Sequence, residues 1–405
     1  MMKTGLRKIR TSDFFLVVLF IWATALFWGG GAPLHAASPE PIDVEIVFLT
    51  QKVELPPALS NIDTIPDDAG LMGARVAIAD NNTTGRFLKQ KYTLKEEALS
   101  INGNVEEAFS RLISEGAKLF VLDLPATSLD IVRKHANANQ SLLINVRATD
   151  DRFRSKDCHD YLLHTIPSRS MRSDALAQYL ITKRWKEWLL VVGPRPEDEL
   201  FAKSIRKSAA KFGAKIVKEK KWTGEYDARR TAQAEIPLFT QNIDYDVLMV
   251  ADEIGDFGDY LMYSTWTPRL VAGTQGLIAA TWGRPVEQWG AAQLQERFLK
   301  KSGRWMNPRD YAAWAAVRSI GEAVTRARSG ELVKIQNFIG SDNFQLAAFK
   351  GRKLSFRKWN GQLRMPIAVM TARSLVAQPP LKGFLHQRTE LDTLGLDKPE
   401  SSCGQ

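Results

Sequence analysis

The sequence predicts an α/β protein with two lobes, each built around a mostly parallel sheet. In the stretch 116–151, strands are predicted at Lys118–Leu122 and Leu142–Val146, with a helix at Ser128–Ala138 between them. A second series of strands and helices follows from Leu162. Antiparallel strand signals occur only near the end of the chain, which indicates that the chain returns there to complete a lobe.

Two polar loops of the stretch 116–151 are expected at one edge of the first sheet. Successive parallel strands are joined by a right-handed crossover, so the loops Asp123–Thr127 and Arg147–Asp151 follow neighbouring strand ends. In open α/β sheets this carboxyl edge is where ligands bind. The sequence therefore predicts a ligand-binding edge at these two loops.

The first series of elements begins upstream of this stretch. It comprises a strand from Val44, a helix over Asp67–Asn81 that stops at Asn81-Asn82 and Gly85, a strand over Tyr92–Leu99 and a helix over Val105–Ser114. The polar interval Asp150–Asp160 then separates the two series, and we expect it to be a surface linker.

The second series repeats the alternation of strands and helices. Its predicted strands are Leu162–Ile166, Trp188–Val192, Lys215–Lys220, Asp246–Ala251 and Arg269–Ala272. Its predicted helices are Arg172–Lys183, Asp198–Phe212, Ala228–Gln241 and Phe257–Ser264. The chain thus contains two similar α/β units in sequence.

The final third of the chain combines helices with antiparallel strands. Helices are predicted at Pro285–Lys301 and Asp310–Arg328, and strands at Phe344–Phe349, Leu354–Trp359 and Gln362–Met370. The pair Asn360-Gly361 between the last two strands is a strong signal for a two-residue hairpin turn. Residues 377–405 show no clear period and are predicted to form a tail along the surface.

The N-terminus has the pattern of a secretory signal. Basic residues precede an apolar run over Phe14–Trp28, and small residues follow at Ala36 and Ala37, where cleavage is expected. An uncleaved anchor is the alternative, but the apolar run of about fifteen residues is shorter than the roughly 20 that span a bilayer. We therefore expect a soluble exported protein.

Charge and cysteine content narrow the classes of function. The chain has 55 Lys and Arg against 45 Asp and Glu, a net charge of +10, but the two signs are interleaved, as in KRWKEW. No nucleic-acid-binding module is evident, so no nucleic-acid partner is expected. The two cysteines, Cys158 and Cys403, could form a disulfide or stay as free thiols, and the sequence leaves both open.

Motifs of catalysis are missing from the sequence. His135, His159, His164 and His386 lack the paired spacing of a metal-binding helix. A Gly-x-Ser-x-Gly elbow, a phosphate-binding loop and a Gly-x-Gly-x-x-Gly motif are also absent. We therefore expect a protein that is not an enzyme and holds neither a metal ion nor a cofactor.

Several segments resemble those of one family. The family is that of the type I periplasmic binding proteins. Its first crossing between lobes resembles HTIPSRSMRSDALAQYL (His164–Leu180), and the helix after its return to the first lobe resembles YAAWAAVRSIGEAV (Tyr311–Val324). Its closing hairpin resembles KLSFRKWNGQLRMPIAVM. Its members are the leucine/isoleucine/valine-binding receptors of ABC transporters, and the resemblance covers about Val44 to Val376. Sequence segments such as DNNTTGRFLKQ and DYDVLMVADEIGDFGDYL are most similar to those of the subgroup associated with PQQ-dependent alcohol dehydrogenase systems.

The resemblance implies Rossmann-like lobes joined by a three-stranded hinge. The implied organisation is a signal peptide over 1–37, an N-terminal lobe over 38–165 plus 284–333, a C-terminal lobe over 166–283 plus 334–376, and a tail over 377–405. It also implies binding of a small molecule between the lobes, delivery to the membrane permease of an ABC transporter, and a monomeric state.

The resemblance also implies the ligand-binding residues. In the first lobe these are Ala126, Thr127, Ala148 and Thr149, which would offer backbone N–H groups and hydroxyls to a polar head group; the alternative for both threonines is an N-cap of the following helix. In the second lobe they are Asp252, Glu253, Thr274 and Gln275. The acid would pair with an ammonium group in amino-acid binders, or else cap the next helix.

Departures from the family pattern make a branched-chain amino acid a doubtful ligand. Asp123-Leu124-Pro125 replaces a Gly-rich loop, and PRPEDELF lacks the aromatic-Gly pair that often follows the second lobe's first strand. Arg147 stands before Ala148 and could bind an acidic ligand. The alternative, which the sequence slightly favours, is that Arg147 is a surface charge or forms an ion pair with Asp150 or Asp151. The ligand is expected to be an alcohol, an acid or a cofactor-related compound. A periplasmic accessory protein of a quinoprotein dehydrogenase without transport activity is the alternative function, and a sensory module is a third.

Overall fold

Two sheets form the cores of two lobes in the computed structural model, which describes residues 41–55, 65–137, 139–223 and 235–403. The strands are β1 (Ile42–Gln51), β2 (Gln90–Leu99), β3 (Leu119–Asp123), β4 (Leu142–Asn145), β5 (Leu162–His164), β6 (Glu187–Val192), β7 (Lys215–Lys221), β8 (Val247–Ala251), β9 (Leu270–Gly273), β10 (Leu277–Ala280), β11 (Leu346–Ala347), β12 (Lys353–Phe356), β13 (Leu363–Arg364), β14 (Ala368–Met370) and β15 (Leu375–Ala377). The α-helices are α1 (Leu71–Leu88), α2 (Val105–Ser114), α3 (Ala126–His135), α4 (Arg169–Thr182), α5 (Pro196–Phe212), α6 (Gly258–Leu261), α7 (Ala291–Ser302), α8 (Pro308–Ala327) and α9 (Leu332–Ile339). The predicted signal peptide lies outside the described residues. Within the described part of the chain, no helix is both long and apolar enough to cross a membrane.

The first sheet has the strand order β2-β1-β3-β4-β5, and every neighbouring pair is parallel. The predicted strand, helix and strand of the stretch 116–151 are confirmed as β3, α3 and β4. Strand β3 is buried along its whole length, as expected for a parallel strand that is covered on both faces. The loops after β3 and β4 therefore lie at the same carboxyl edge.

The strand at Leu162 belongs to the first lobe. The expectation that it opens the second series is wrong, because β5 pairs with β4 from Leu143↔Leu162 to Asn145↔His164. The second lobe begins with the next helix, α4, which is followed by β6.

Helix α1 continues beyond its predicted end. Asn81 and Asn82 do not stop it, since both side chains make tertiary hydrogen bonds: Asn81 Nδ2 donates to Val317 O at 3.0 Å, and Asn82 Nδ2 donates to Tyr92 O at 2.8 Å. These polar residues thus fix α1 against α8 and β2 instead of ending the helix.

The second sheet has the order β15-β14-β10-β9-β8-β6-β7. Strands β6 to β10 are parallel, while β14 and β15 pair antiparallel at one edge. Strand β10 was not predicted, because the short apolar segment Leu277–Ala280 follows β9 after only three residues. The predicted helix over Phe257–Ser264 is reduced to the single turn α6. Of the predicted helix over Ala228–Gln241, only residues 235–241 are described, and 235–240 are helical.

The chain passes between the two sheets three times. It leaves the first sheet after β5, returns after β10 through α7 and α8, and enters the second sheet again at β14. The predicted strand Gln362–Met370 is therefore divided: β13 pairs with β12 as a hairpin, whereas β14 joins the second sheet. The predicted two-residue turn at Asn360-Gly361 is wrong, because Phe356 pairs with Leu363 and the turn between them is longer.

Helix α8 packs along α1 in the first lobe. Close approach depends on two glycines, because a Cβ at Gly73 would lie 1.9 Å from Asp310 O and one at Gly321 would lie 2.3 Å from Asn81 Oδ1. The alanines of α8 at 312, 313, 315 and 316 are fully buried and leave room for this contact. Helix α9, which was not predicted, packs in turn against α8.

The interval Asp150–Asp160 is not a surface linker. It contains a 3-10 helix, Asp151–Arg154, and Arg154 is buried at the crossing between the lobes. Its guanidinium donates to Ala148 O at 2.9 Å, to Ile166 O at 3.0 Å and to Gln362 Oε1 at 3.0 Å. A buried arginine needs such acceptors, and this requirement orders the segment.

The C-terminal segment is partly buried instead of lying along the surface. Leu391, Leu394 and Cys403 are buried. Asp392 forms an ion pair of 2.8 Å with the buried Arg357. Cys403 forms a disulfide with Cys158, with the two Cα atoms 5.8 Å apart. The segment thus attaches to the closing hairpin and to the first lobe.

Candidate functional site

Charged side chains meet at the carboxyl edge of the first sheet. Asp123 at the end of β3 is buried and accepts hydrogen bonds from Thr50 Oγ1 at 2.8 Å and from Arg309 Nε at 3.1 Å. Arg309 is the second residue of α8. Arg147, in the loop after β4, donates from Nη1 to Gln51 O at the end of β1, at 2.9 Å. We call Asp123, Arg147 and Arg309 the edge cluster.

The edge cluster carries two positive charges and one negative charge. Arg147 is half-buried, and this burial, with the nearby charge of Arg309, lowers the pKa of its guanidinium, while Asp123 opposes the shift. The slightly favoured pairing of Arg147 with Asp150 or Asp151 is wrong. Asp150 instead lies 3.0 Å from Arg169 Nη1, and Asp151 accepts from Ser170 N at 3.2 Å.

Ala126 and Thr127 form the first turn of α3. The N-cap of this helix is Pro125, which has no side chain able to accept a backbone N–H. Thr127 lies inside the helix and therefore does not cap it. Its side chain is exposed, and Ala126 is half-buried. In the same turn, Ser128 donates from its hydroxyl to Gln51 Oε1 at 2.5 Å. The start of α3 thus lies next to the residue that Arg147 contacts.

Ala148 and Thr149 follow Arg147 in the loop after β4. Ala148 is buried, and its N–H donates to Asn145 Oδ1 at 2.9 Å, so the expected backbone donor is already in use. Thr149 is half-buried, and its carbonyl accepts from Arg169 N at 2.9 Å. Thr149 is not an N-cap either, since the cap of the following 3-10 helix is Asp150.

Asp252 organises the loop after β8. The residue is 1 % exposed, and its carboxylate accepts from four backbone N–H groups. These belong to Gly255, Asp256, Phe257 and Gly258, at 3.0, 2.9, 2.9 and 2.7 Å. The side chain therefore fixes its own loop and the start of α6, although the N-cap residue of that helix is Phe257 and not Asp252.

Thr274 and Gln275, after β9, contact the same loop. Thr274 Oγ1 accepts from Asp252 N at 2.9 Å, and Gln275 Nε2 donates to Asp252 O at 3.0 Å. A Cβ at Gly258 would lie 2.2 Å from Gln275 Oε1, so the glycine allows this contact. The three predicted residues Asp252, Thr274 and Gln275 are thus together and bonded to one another.

Glu253 is paired with arginines of α4. Its Oε2 lies 2.6 Å from Arg169 Nη2, and its Oε1 lies 3.1 Å from Arg172 Nη1. Burial opposes the positive charge of Arg169, but Glu253 and Asp150 outweigh it and raise the pKa of the guanidinium. Arg169 therefore connects Asp150, after β4 of the first sheet, with Glu253, after β8 of the second.

Sequence reasoning missed three arginines of the site: Arg309, which partners Asp123, and Arg169 and Arg172, which partner Glu253. Arg309 directly precedes the predicted start of a helix, and Arg169 lies inside the segment SRSMRS before another. Basic side chains at a helix start are unfavourable for the helix dipole, and this was the available signal. Among the described residues there is no group of three or more His, Cys, Asp or Glu side chains placed to hold a metal ion.

Comparison with known proteins gives matches in structure alone. No protein-family model and no curated protein matches the chain. An ABC transporter substrate-binding protein from Sphaerobacter thermophilus is 15% identical, with a TM-score of 0.68 over 88% of this chain and 100% of that one.

Two further solved structures have named ligand classes. The leucine-, isoleucine-, valine-, threonine- and alanine-binding protein from Brucella ovis, in a closed conformation, is 16% identical, with a TM-score of 0.63 over 84% of this chain and 92% of that one. A solute-binding protein from R. palustris in complex with benzoate is 11% identical, with a TM-score of 0.62 over 90% of this chain and 100% of that one. Together with the two sheets and their three connections, these likenesses show that the chain has the two-lobed fold of the type I periplasmic binding proteins.

Proposed function

We propose that this protein is the substrate-binding component of an ABC transporter, which binds one small molecule between its lobes and presents it to a membrane permease. The observation that carries the proposal is the chain of ion pairs Asp150–Arg169–Glu253. It connects loops at the carboxyl edges of both sheets. Since ligands of open α/β sheets bind at that edge, a molecule held there can touch both lobes.

Such a protein acts through closure of its lobes on the ligand. Closure is stabilised only by contacts that the ligand makes in the closed state, so each lobe alone binds weakly. We propose that the protein works in the periplasm as a monomer and without catalysis. The ligand-binding loops are those that contain Ala126, Thr127, Ala148, Thr149 and Arg147 in one lobe, and those that contain Asp252, Glu253, Thr274 and Gln275 in the other.

A link to PQQ-dependent alcohol oxidation is the finer part of the proposal. The support for this link is the sequence resemblance of the segments DNNTTGRFLKQ and DYDVLMVADEIGDFGDYL to that subgroup, and not any matched relative. The solutes of such a pathway are alcohols and the acids that form from them.

Ligand-dependent melting of the purified protein tests the proposal. A true ligand at 100 times its Kd stabilises the folded state by about 2.7 kcal/mol, which raises the melting temperature by several degrees. The panel comprises alcohols, short carboxylic acids, amino acids and quinone cofactors. Failure of every compound to shift the melting temperature would contradict transport and favour the accessory function.

A further inference from the structure

We propose that the ligand is a small organic acid with one negative charge and no amino group, and that Arg147 binds its carboxylate. This inference rests on the proposed function and names its substrate class. It is carried by the charges at the strand ends of the two lobes: the edge cluster has one positive charge in excess, whereas Asp252 and Glu253 of the second lobe already have partners.

The edge cluster has one positive charge without a carboxylate partner. Arg309 takes Asp123 as its partner, which leaves Arg147 with a single hydrogen bond, to the neutral carbonyl of Gln51. Among the described residues, no acceptor bonds the Nε and Nη2 groups of Arg147. Because guanidinium groups bind carboxylates through two parallel hydrogen bonds, these two donors match one carboxylate.

The start of α3 adds to the same preference. Its N-cap, Pro125, leaves the first N–H groups of the helix without a side-chain acceptor. The partial positive charge of a helix N-terminus favours an anion nearby. Gln51 connects the two features, since its carbonyl accepts from Arg147 and its side-chain oxygen accepts from Ser128 in the first turn of α3.

In the described part of the second lobe, the two acids directly after β8 already have partners, so neither is free for an ammonium group. Glu253 is bound by Arg169 and Arg172, and Asp252 is bound by four backbone N–H groups. An amino-acid ligand would bring a cation next to these arginines and would have to leave its ammonium unpaired. Burial of an unpaired charge costs far more than burial of an apolar carbon at the same position.

A neutral alcohol also fits poorly. It would remove water from Arg147 without supplying a negative charge, so the guanidinium would be desolvated and unneutralised. A monocarboxylate instead brings the edge cluster to zero net charge. A dicarboxylate would leave one negative charge in excess.

Calorimetric titration of matched ligand series tests the inference on the whole protein. One series is butyrate, α-aminobutyrate and butanol, and the other is phenylacetate, phenylglycine and 2-phenylethanol; within each series the carbon skeleton is the same and only the polar groups differ. We expect the carboxylates to bind most tightly. Arg147→Gln should weaken that binding by about tenfold or more, the usual size of a charge-assisted hydrogen bond. Arg309→Gln removes the partner of Asp123, whose negative charge then acts on Arg147, and should therefore also weaken it.

Two further variants separate binding from folding. Arg147→Lys keeps the positive charge but loses the pair of parallel N–H donors of the guanidinium. Its affinity for the carboxylates should lie between those of the parent protein and Arg147→Gln. Arg75→Gln removes a surface ion pair with Glu96 in the same lobe and should bind like the parent protein.

The outcomes distinguish this inference from the function on which it rests. Tighter binding of an alcohol or an amino acid than of its matched carboxylate overturns the inference and leaves the proposed function standing. Carboxylate binding that neither arginine variant weakens overturns the assignment of the site. Absence of binding in both series overturns the inference and the proposed function together.

Discussion

Arg169 forms an ion pair with Glu253 in which Nη2 and Oε2 are 2.6 Å apart, and its Nη1 lies 3.0 Å from Asp150 of the other lobe. The arginine side chain is 6 % exposed and the glutamate side chain 12 %, so water hardly screens their attraction. In an amino-acid binder an acid near this position is expected to pair with the ligand. Here the protein supplies the cation itself.

Glu253→Gln is therefore expected to lower the stability of the protein. The change leaves Arg169 and Arg172 buried with too little negative charge, and removal of one partner from a buried ion pair costs about 3 kcal/mol. Urea unfolding measures the difference. Glu199→Gln, which removes an exposed partner of Arg206, is the matched control and should cost at most about 1 kcal/mol. Equal losses in the two variants would show that the Arg169–Glu253 pair has no special role.

Asp252→Asn should loosen the loop after β8. The amide keeps one oxygen for the four backbone N–H groups that the carboxylate accepts, and we expect a loss of about 2 kcal/mol. Hydrogen exchange at Gly255 to Gly258 should become faster. Asp246→Asn, at a half-buried site whose carboxylate also accepts backbone N–H groups, is the control. Unchanged exchange at Gly255 to Gly258 would contradict the role assigned to Asp252.

Lys350→Met should change the pH dependence of stability. Burial lowers the pKa of Lys350 to about 7, and its ammonium lies 4.8 Å from the Tyr311 ring centroid and 5.4 Å from that of Trp282. The unfolded chain holds the proton up to the ordinary value of 10.5, so between these values the unfolded state binds more protons. Below pH 7 the folded state bears the full free-energy cost of burying the charged ammonium, and this cost disappears as the pH rises towards 10.5. The free energy of unfolding therefore rises with pH over this range.

The difference between parent and variant isolates this effect. From pH 7 upwards the parent should gain up to about 1.4 kcal/mol per pH unit relative to Lys350→Met. Unfolding in urea at several pH values measures it. Lys353→Met, at an exposed lysine nearby, should leave the slope unchanged. Parallel curves for the parent and Lys350→Met would contradict the pKa shift that burial gives this amine.

Removal of the disulfide should destabilise the C-terminal segment. The bond joins residues that are 245 positions apart, and loss of a native disulfide typically costs about 2–5 kcal/mol. Cys158→Ser with Cys403→Ser should lower the melting temperature and expose the segment after Asp392 to proteases. Mass determination with and without reductant, followed by thiol alkylation, checks the bond. Two thiols that react before reduction would contradict it.

The sequence predicted the parallel modules well because their signals are local. Buried strands such as Leu119–Asp123 are continuous apolar runs, and Val105–Ser114 has clear helical spacing. It failed where tertiary contacts decide the structure. Asn81 stays helical because its amide bonds α8, and Arg154 is buried because carbonyls of three separate segments surround it.

The same distinction applies to the candidate site. The sequence could predict that Asp252, Thr274 and Gln275 lie at the end of their strands, since that follows from the order of elements. It could not predict that Arg169 reaches Glu253, or that Arg309 takes Asp123 and leaves Arg147 without an acid, because these pairs join residues far apart in the chain.

Native mass spectrometry of the protein with an equimolar mixture of butyrate, α-aminobutyrate and butanol tests the central claim most directly. The mass of the complex identifies which compound the protein selects. The account predicts a one-to-one complex with butyrate that is lost in Arg147→Gln and kept in Arg75→Gln. A dominant complex with the amino acid or the alcohol, or no complex with any of the three, would contradict it.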